Sequence, residues 1–399
     1  MREWPRLRLD ECCEIVGGAT PSTAVGAYWD GDICWATPKD LSELEGAYIS
    51  DTPRKLTREG LASCASDILP TGSVLFSSRA PIGLVALNTV PMATNQGFKS
   101  FIPKKERVHA NFLYHWLRTN RSYLESLGNG ATFKEVSKTI VSRIEIQLPP
   151  LPEQRRLAEI LDRAETLRAK RRATLAELNV LMQSIFLEMF GDPATNPKGW
   201  PAKLLGDVAR NINNGVFRKN PEYLQRDGRR VPVVWVEDLF RRTPIDTRNS
   251  RRLLPTTTEI EKYSLYSGDI LFCRSSLKLE GIAYSNVFLG DDGSALFECH
   301  LIRVSPRLEQ ISPVYLNSLL RLPQMRAIAI SKGKTATMTT IDQAQLCSIP
   351  VMLPPLRVQR EFASRVEAVD KLRATHQDSL AELDALFASL QHRAFRGEL

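Results

Sequence analysis

The feature that most constrains this chain is a long stretch that occurs twice. The first copy, residues 148–190, begins LPPLPEQRRLAEILDRAETLRAK, and the second, residues 353–395, begins LPPLRVQREFASRVEAVDKLRA. A constant shift of 205 positions aligns them, so that Gln154 matches Gln359 and LAEL at 175–178 matches LAEL at 380–383. The chain therefore contains an internal duplication, and its fold must accommodate two equivalent segments.

Both copies carry apolar residues at helical spacing. They are Leu157, Leu161, Ala164, Leu167, Leu175, Leu178, Leu181, Met182 and Ile185 in the first copy, and Phe362, Val366, Val369, Leu372, Leu380, Leu383, Leu386, Phe387 and Leu390 in the second. Proline disrupts a helix interior, so the prolines at the start of each copy mark where the helices begin. A helix from residue 153 to residue 189 would be roughly 55 Å long. Because that length exceeds the core of a small domain, we predict that the two helices pack together, with the polar stretches 168–174 and 373–379 setting their register.

The duplication extends beyond the helices. Trp4-Pro5 matches Trp200-Pro201, and LPTGSVLF at 69–76 matches LYSGDILF at 265–272, both at a shift of 196 positions. We predict an α+β fold with a pseudo-two-fold internal repeat, in which two strand-rich α/β domains are separated by two long antiparallel helices forming a coiled coil. The predicted boundaries are 1–147 for the first globular domain, 148–190 for the first helix, 191–352 for a turn-rich linker and the second globular domain, and 353–399 for the second helix.

Local patterns place several shorter elements in each globular domain. Strands are predicted after glycine turns at 73–76 and 269–272, and before the prolines at 144–148 and 349–353. Short helices are predicted at 111–119 and 314–322. The two domains differ most at 24–59 and 216–258. Similar helices with different loops suggest one shared docking task and two separate recognition tasks.

Composition bounds the protein class. With 43% hydrophobic and 25% charged residues the chain resembles an ordinary globular protein, and its net charge of +8 permits a polyanionic partner. Seven cysteines without a CxxC motif suggest neither a zinc site nor a disulfide framework, which favours a reducing cytoplasm. The uncharged run 80–98 contains prolines and amides, so we interpret it as buried strands and turns and expect no membrane association.

No catalytic or metal-binding motif survives inspection of its context. Gly333-Lys334-Thr335 resembles the end of a phosphate-binding loop, but the first glycine of that motif would fall at Ile328. The Pro-Pro pairs are flanked by leucines and lack the residues of an amino-methyltransferase motif. The five histidines show no metal-ligand spacing. We therefore predict no catalytic residue, no metal ligand and no cofactor in this chain.

Polar loops beside apolar strands instead indicate a nucleic-acid-binding protein, because such side chains bond to phosphates and base edges. The candidates in the first domain are Ser77, Ser78, Arg79, Asn95, Gln96, Lys99, Thr132 and Lys134. Their counterparts in the second domain are taken as Arg274, Ser275, Ser276, Lys278, Lys334, Thr335 and Thr337. A basic run between residues 226 and 252 could also contact DNA, although surface arginines commonly form ion pairs. Basic residues of the first long helix alternate with acids, which favours a face toward solvent or another subunit.

The layout resembles the specificity subunit of a Type I restriction-modification enzyme over the whole chain. The resemblance depends on LPPLPEQR at 148–155, LPPLRVQR at 353–360, the linker FGDPATNPKGWP at 190–201, and the GxxLF strands at Gly72 and Gly268. Arg357-Val358 stands where the first copy has Pro152-Glu153, so the second copy departs slightly from the pattern.

The resemblance implies function and partners. In that family each globular domain is a target recognition domain that reads one half of a bipartite double-stranded DNA target, and the helices set the spacer between the halves. It implies two methyltransferase subunits docked on the helices and restriction-translocation subunits joining that complex. S-adenosylmethionine, ATP and magnesium would be used by those partners. Because the recognition loops differ between copies, the two half-sites are expected to differ.

Three other interpretations stay open from the sequence alone. A duplicated coiled-coil scaffold could join two proteins without nucleic acid, and it would show no preference for a bipartite site at any ionic strength. An enzyme with an unrecognised site would transfer methyl groups without added subunits. A specificity subunit of a related restriction class, with fused catalytic partners, would be recognised from its neighbouring genes.

Overall fold

A computed structural model describes residues 4–129, 134–219, 230–241, 243–335 and 338–399. The chain forms two compact units: the first contains Met1–Ala173 and Asp378–Leu399, and the second contains Thr174–Gln377. The predicted boundaries assigned each long helix to a segment of its own, whereas both helices are divided between the units. The reason is packing, because each half of a helix contributes to the hydrophobic core of the unit that contains it.

The first unit combines short strands and helices with the beginning of a long helix. Its strands are β1 (Arg6–Arg8), β2 (Cys13–Gly17), β3 (Trp29–Ala36), β4 (Tyr48–Ile49), β5 (Lys55–Leu56), β6 (Val74–Phe76), β7 (Val85–Asn88), β8 (Met92–Thr94), β9 (Lys99–Pro103) and β10 (Glu145–Gln147). Its helices are α1 (Leu9–Cys12), α2 (Pro38–Ser42), α3 (Arg58–Ala62), α4 (Ala110–Thr119), α5 (Arg121–Ser126) and α6 (Lys138–Ser142), followed by α7 (Leu151–Phe190), which continues into the second unit.

The second unit repeats this arrangement. Its strands are β11 (Ala202–Leu204), β12 (Ala209–Asn214), β13 (Val231–Val234), β14 (Arg251–Leu253), β15 (Ile270–Cys273), β16 (Ser275–Ser276), β17 (Ser285–Val287), β18 (Leu296–Phe297), β19 (Leu301–Pro306), β20 (Lys334–Thr335), β21 (Thr339–Thr340) and β22 (Pro350–Met352). Its helices are α8 (Val236–Arg241), α9 (Thr257–Tyr263), α10 (Pro313–Arg321), α11 (Pro323–Lys332) and α12 (Gln343–Cys347), followed by α13 (Leu356–Ala394), which ends in the first unit. The strands and short helices predicted from the sequence are thus present, with small differences at their ends.

The strand orders of the two units match, except that β4 adds a fifth strand to the main sheet of the first unit. The main sheet of the first unit runs β2-β9-β6-β7-β4, and that of the second runs β12-β19-β15-β17. A smaller sheet runs β5-β3-β8 in the first unit and β14-β13-β18 in the second, with one antiparallel and one parallel pairing in each. The first and last strands of each repeat also pair, as β1 with β10 and β11 with β22. The sequence repeat is therefore a repeat of topology.

The glycine turn before the central strand has the same conformation in both units. Gly72 has φ +85° and Gly268 has φ +97°, in the left-handed region that side chains with a Cβ rarely adopt. The strands that follow, β6 and β15, are fully buried. The glycine in the GxxLF pattern is thus required by the sharp entry of the chain into the core.

A buried glutamine fixes the start of each long helix. Gln154 Oε1 accepts the His109 N–H at 2.8 Å, and its amide group donates to the carbonyls of Arg107 at 2.9 Å and Pro149 at 2.8 Å. The glutamine side chain therefore satisfies three backbone groups that the strands and helices leave without partners. This contact explains why a glutamine follows the prolines of the duplicated motif.

Gln359 makes the equivalent contacts in the second unit. Its Oε1 accepts the Ser312 N–H at 2.8 Å, and its amide group donates to the carbonyls of Gln310 at 3.2 Å and Pro354 at 2.7 Å. Both glutamine side chains are almost completely buried. We refer to Gln154 and Gln359 with these backbone partners as the glutamine clamps.

The long helices pack in antiparallel fashion within each unit. In the first unit, Leu157 and Leu161 of α7 share a core with Phe387 and Ala394 of α13. The guanidinium of Arg168 lies 4.3 Å from the centroid of the Phe387 ring. Arg168, which belongs to the polar stretch 168–174, therefore contacts the opposite helix, as predicted for a register-setting residue.

The second unit contains the equivalent contacts. Phe186 and Phe190 of α7 each lie 5.4 Å from Phe362 of α13, measured between ring centroids. Arg373, which matches Arg168 in the repeat, lies 3.8 Å from the Met182 sulfur atom. Since Met182 matches Phe387, the two arginines contact equivalent positions on the opposite helix.

Four leucines predicted to face the helix seam lie at the surface instead. Leu167 is 53% exposed, Leu181 45%, Leu372 48% and Leu386 51%. The contact surface between the two helices is narrower than the stripe of apolar residues along each helix. These four leucines therefore follow the helical spacing but lie outside the helix contact. No helix among the described residues combines the length and the apolar character needed to cross a bilayer.

Candidate nucleic-acid interface

Two predicted DNA contacts, Ser77 and Ser78, lie in the loop after β6 with buried side chains. Ser77 Oγ donates to the Pro81 carbonyl at 2.7 Å and accepts the Leu84 N–H at 2.8 Å. Ser78 Oγ donates to the Gly97 carbonyl at 3.1 Å. Both hydroxyls therefore shape the loop from inside, and neither reaches a surface where DNA could bind.

Arg79 and Lys99 meet at one carboxylate on the surface of the first unit. Arg79 Nε lies 2.9 Å from Glu135 Oε2, and Lys99 Nζ lies 3.4 Å from Glu135 Oε1. The arginine side chain is 45% exposed and the lysine side chain 15%. We call these three residues the charged triad. Lys134, next to the acid in sequence, is exposed, and Thr132 lies outside the described residues.

A tight turn lies beside the charged triad. Asn95 Oδ1 accepts the Gly97 N–H at 2.9 Å, so this amide side chain closes the turn. Gln96 at the tip is exposed, and its side-chain oxygen contacts the Thr20 hydroxyl. Of these two candidates, the glutamine is the more accessible to a ligand.

The second unit presents its candidates on a small sheet ordered β16-β21-β20. Ser275 and Ser276 form β16 and are half-buried, and the flanking Arg274 and Lys278 are exposed. Lys334 of β20 is exposed as well. Thr335 also belongs to β20, and Thr337 lies outside the described residues. The described candidates of the second unit therefore lie on or beside this small sheet.

Backbone hydrogen bonds fix which residues correspond between the units. The Val136 N–H donates to the Ser78 carbonyl at 2.8 Å, and the Ile341 N–H donates to the Arg274 carbonyl at 2.9 Å. Arg274 therefore occupies the position of Ser78, in agreement with the shift of 196 positions, and does not correspond to Arg79. The bridges around this point match Arg79 with Ser275, Glu135 with Thr340, and Asn129 with Lys334.

The sequence analysis missed the second unit's equivalent of the Asn95 turn. Glu298 Oε2 accepts the His300 N–H at 2.9 Å, which reproduces the turn closed by Asn95. Glu298, Cys299 and His300 each offer a metal-ligand atom, all within 4.8 Å of one another. However, the carboxylate already closes the turn, and burial and the neighbouring carboxylate raise the pKa of the Cys299 thiol, which disfavours the thiolate that a metal needs. The two turns are 203 positions apart, an offset that follows from the strand register and differs from both offsets seen in the sequence.

Apolar side chains accompany the hydroxyls of the second unit. A cavity of about 620 Å³ is lined by Ser276, Leu277, Lys278, Tyr284 and Met338 together with neighbouring residues. Leu277 is 83% exposed. An exposed apolar side chain beside a hydroxyl suits contact with a thymine methyl group and a neighbouring base edge.

Most described arginines of the basic run have partners within the second unit. Arg241 pairs with Asp238, Arg248 pairs with Asp246, Arg251 lies over the Trp235 ring at 4.1 Å, and Arg252 donates to the Arg230 carbonyl at 2.8 Å. Arg226, Arg229 and Arg242 lie outside the described residues. The described arginines therefore help to hold the loops of this unit in place.

Comparisons with known proteins agree with the repeat. The family model of the Type I restriction modification DNA specificity domain matches residues 1–179 and 197–385. The Type I restriction enzyme MjaIX specificity subunit of Methanocaldococcus jannaschii is 28% identical over 420 residues, which cover 100% of this chain and 94% of that protein. The EcoKI specificity subunit of Escherichia coli is 25% identical over 371 residues, which cover 87% of this chain and 78% of that protein.

A solved structure shares the fold at low identity. The crystal structure of the Type I restriction-modification S subunit from M. genitalium has a TM-score of 0.60 and 13% identity, and the match covers 98% of this chain and 96% of that one. The two family matches fall on the two halves of the topological repeat and together span most of the sequence. This chain therefore belongs to the family of Type I restriction modification DNA specificity domains and carries two copies of the domain.

Proposed function

We propose that this chain is the DNA-specificity subunit of a Type I restriction-modification complex, in which each unit reads one half of an asymmetric bipartite target. The observation that carries the proposal is the repeat itself. Two units that share the order of four main-sheet strands and the same glutamine clamps present different side chains at corresponding positions of the candidate interface. Equivalent frames with different contact residues suit two different half-sites, and the length of the helix pair would set the spacer between them.

The proposed reading uses contacts of two kinds. Lysines and arginines around the edges would contact phosphates, which gives affinity and dependence on salt. Exposed side chains such as Arg79, Gln96 and Arg274 would reach base edges, each good bidentate contact discriminating by about 1 to 3 kcal/mol. The net charge of +8 and the seven free thiols agree with a DNA-binding protein of the reducing cytoplasm.

Catalysis would belong to partner subunits. We place two methyltransferase subunits on the helices, with restriction-translocation subunits joining that complex. S-adenosylmethionine, ATP and magnesium would be bound by those partners. The support is that the helix pair of each unit carries the same two exposed leucine positions: Leu167 and Leu386 in the first unit, and Leu372 and Leu181 in the second. Equivalent apolar sites in two units suit two copies of one partner.

Sequencing the methylome of a host that carries this chain and its partner genes tests the recognition proposal. We expect methylation at a motif with two different specific parts separated by a fixed unspecified spacer. Methylation at one contiguous motif, or none that depends on this chain, would contradict the proposal. A gel shift in rising salt separates the scaffold alternative, since a protein scaffold would show no preference for the motif at any ionic strength.

The docking proposal predicts the loss of one partner at a time. Leu167→Glu with Leu386→Glu should remove one methyltransferase copy, and Leu372→Glu with Leu181→Glu should remove the other. The affinity for the affected copy should fall by about 30-fold or more, the effect of losing a strong contact residue. Native mass spectrometry measures the stoichiometry, and Ile68→Glu, an exposed apolar site away from the helices, is the control. Retention of both copies in both double variants would rule out this docking surface.

A further inference from the structure

We propose that Glu135 is a positioning residue that holds Arg79 to read a guanine in the half-site of the first unit. The inference rests on the proposed function and assigns a base type to one position of the target. Arg79 is among the exposed candidates, whereas Glu135 was not identified from the sequence. We include Glu135 because its carboxylate lies against the Arg79 guanidinium.

The backbone around the acid is fixed from two sides. The Glu135 N–H donates to the Asn129 carbonyl at 3.0 Å, and the Asn129 N–H donates to the Glu135 carbonyl at 3.0 Å. The next residue, Val136, donates its N–H to the backbone carbonyl of Ser78 at 2.8 Å. The backbone that carries the carboxylate is therefore hydrogen-bonded on both sides, which sets the direction of the side chain.

The contact with Glu135 uses Nε of Arg79 and leaves the two terminal amino groups of its guanidinium available to a base. Glu135 Oε2 accepts from Arg79 Nε at 2.9 Å. Within the described part of the chain, the two terminal amino groups of Arg79 make no hydrogen bond. A guanidinium held at Nε keeps those two groups as a planar fork, and such a fork matches O6 and N7 of guanine in the major groove.

Charge favours a base contact over a phosphate contact. The Glu135 carboxylate, 2.9 Å from the Arg79 guanidinium, offsets much of the attraction between the guanidinium and a phosphate. The same contact fixes the orientation of the guanidinium, which a specific base contact requires. Lys99, with a side chain only 15% exposed, lies 3.4 Å from the other carboxylate oxygen. The lysine thus holds the acid from behind, and the arginine is the member of the charged triad that faces outward.

The second unit lacks this arrangement. Its residues at the positions of Arg79 and Glu135 are Ser275 and Thr340. The sheet register places buried Ile302 at the position of Lys99. We therefore expect the assigned guanine in one half-site only, and the second half-site provides an internal reference in every measurement.

The test uses the full chain with the methyltransferase subunits encoded beside it, and methylome sequencing as the readout. Wild type should show guanine, or its paired cytosine, at one position of the first half-site, with discrimination on the order of 5- to 150-fold. Arg79→Ala and Arg79→Lys should relax that position alone, because neither side chain supplies the fork. Glu135→Ala should relax the same position by about 5-fold or more, within the range of one bidentate contact. Glu145→Ala, which removes an exposed acid of the same unit, is the charge-matched control.

The outcomes separate the two proposals. A wild-type methylome without a bipartite motif overturns the proposed function. A bipartite motif that stays unchanged in Glu135→Ala and Arg79→Lys overturns this inference alone. Uniform loss of methylation over all sequences, with the same motif, would identify a phosphate contact and would also overturn it. Arg79→Lys changes an exposed side chain while keeping its charge, so it decides the question even if the Glu135 variant folds poorly.

Discussion

At the positions of the charged triad the first unit has an arginine, a lysine and a glutamate, whereas the second has a serine, a buried isoleucine and a threonine. Around these positions the order of four main-sheet strands, the glycine turns and the glutamine clamps are the same. The comparison separates two demands on the chain. Residues that satisfy buried backbone groups repeat, whereas the charged triad does not: in the second unit two of its positions carry hydroxyl side chains and the third carries a core isoleucine.

The glutamine clamps should give the largest effects on stability. Gln154→Glu and Gln359→Glu keep the side-chain shape but remove the amide donors, so two buried carbonyls would face a carboxylate. Each variant should lower the stability of its own unit by about 3 kcal/mol, since each unsatisfied buried group costs about 1 to 3 kcal/mol. Hydrogen exchange measured by mass spectrometry reports each unit separately.

The control for the clamps is Gln183→Glu, an exposed position on α7. It makes the same chemical change without a buried partner and should leave exchange in both units unchanged. If only one of the two clamp variants loosens its unit, the glutamines are not equivalent and the shared frame is less symmetric than the contacts indicate.

A contact between α7 and α4 should distinguish the units by pH. Asp162 Oδ1 lies 2.7 Å from His115 Nε2, and Asp162 Oδ2 accepts from Asn111 at 2.9 Å. Burial raises the pKa of the Asp162 carboxyl, but these two partners outweigh it and hold the pKa below its usual range. The charged form therefore stabilises the first unit, and this contribution is lost as pH falls through the depressed pKa.

Asp162→Asn should accordingly destabilise the first unit by about 1 kcal/mol at neutral pH, the value expected for partly exposed hydrogen bonds to a charged group. The difference from wild type should persist down to about pH 4 and disappear below it. Denaturant titrations at several pH values measure this. The matching residue of the second unit, Glu367, is exposed and pairs with Lys371, so Glu367→Gln should show no comparable change. A pH-independent loss in Asp162→Asn would exclude the ionic explanation.

The smallest effect is expected from an ion pair between the helices. Arg168 Nε lies 2.6 Å from Asp384 Oδ1, whereas the repeat places Asn179 at the matching position of the second unit. Asp384→Asn should cost the first unit about 0.5 kcal/mol at low salt and less in high salt, because the Asp384 side chain is 43% exposed and its charge is screened. Denaturant unfolding at two ionic strengths checks this, with Glu382→Gln as the control. A larger loss that salt does not reduce would mean that packing, not charge, is affected.

The sequence predicted the fold better than the interface. Helical spacing, prolines and repeat offsets are local signals, so they identified the long helices, two of the shorter helices and four of the 22 strands among the described residues. Ser77 and Ser78 had the polarity of contact residues, but the loop uses both hydroxyls internally. Glu135 escaped notice because its relation to Arg79 exists only through strand register. Leu167 shows the opposite error, since apolar spacing cannot distinguish a core residue from an exposed one.

The division of each long helix between the two units determines how fragments of the chain can fold. Phe387 and Ala394, near the end of the chain, complete the core of the first unit, and Phe186 and Phe190, from the first repeat, complete the core of the second. A fragment ending at the linker would lack the part of α13 that completes the core of the first unit. It would still carry the part of α7 that completes the core of the second unit. Either half expressed alone should therefore be driven into a domain-swapped pair with a second copy of itself, which makes a homodimer of single repeats a physically reasonable ancestor of the duplicated chain.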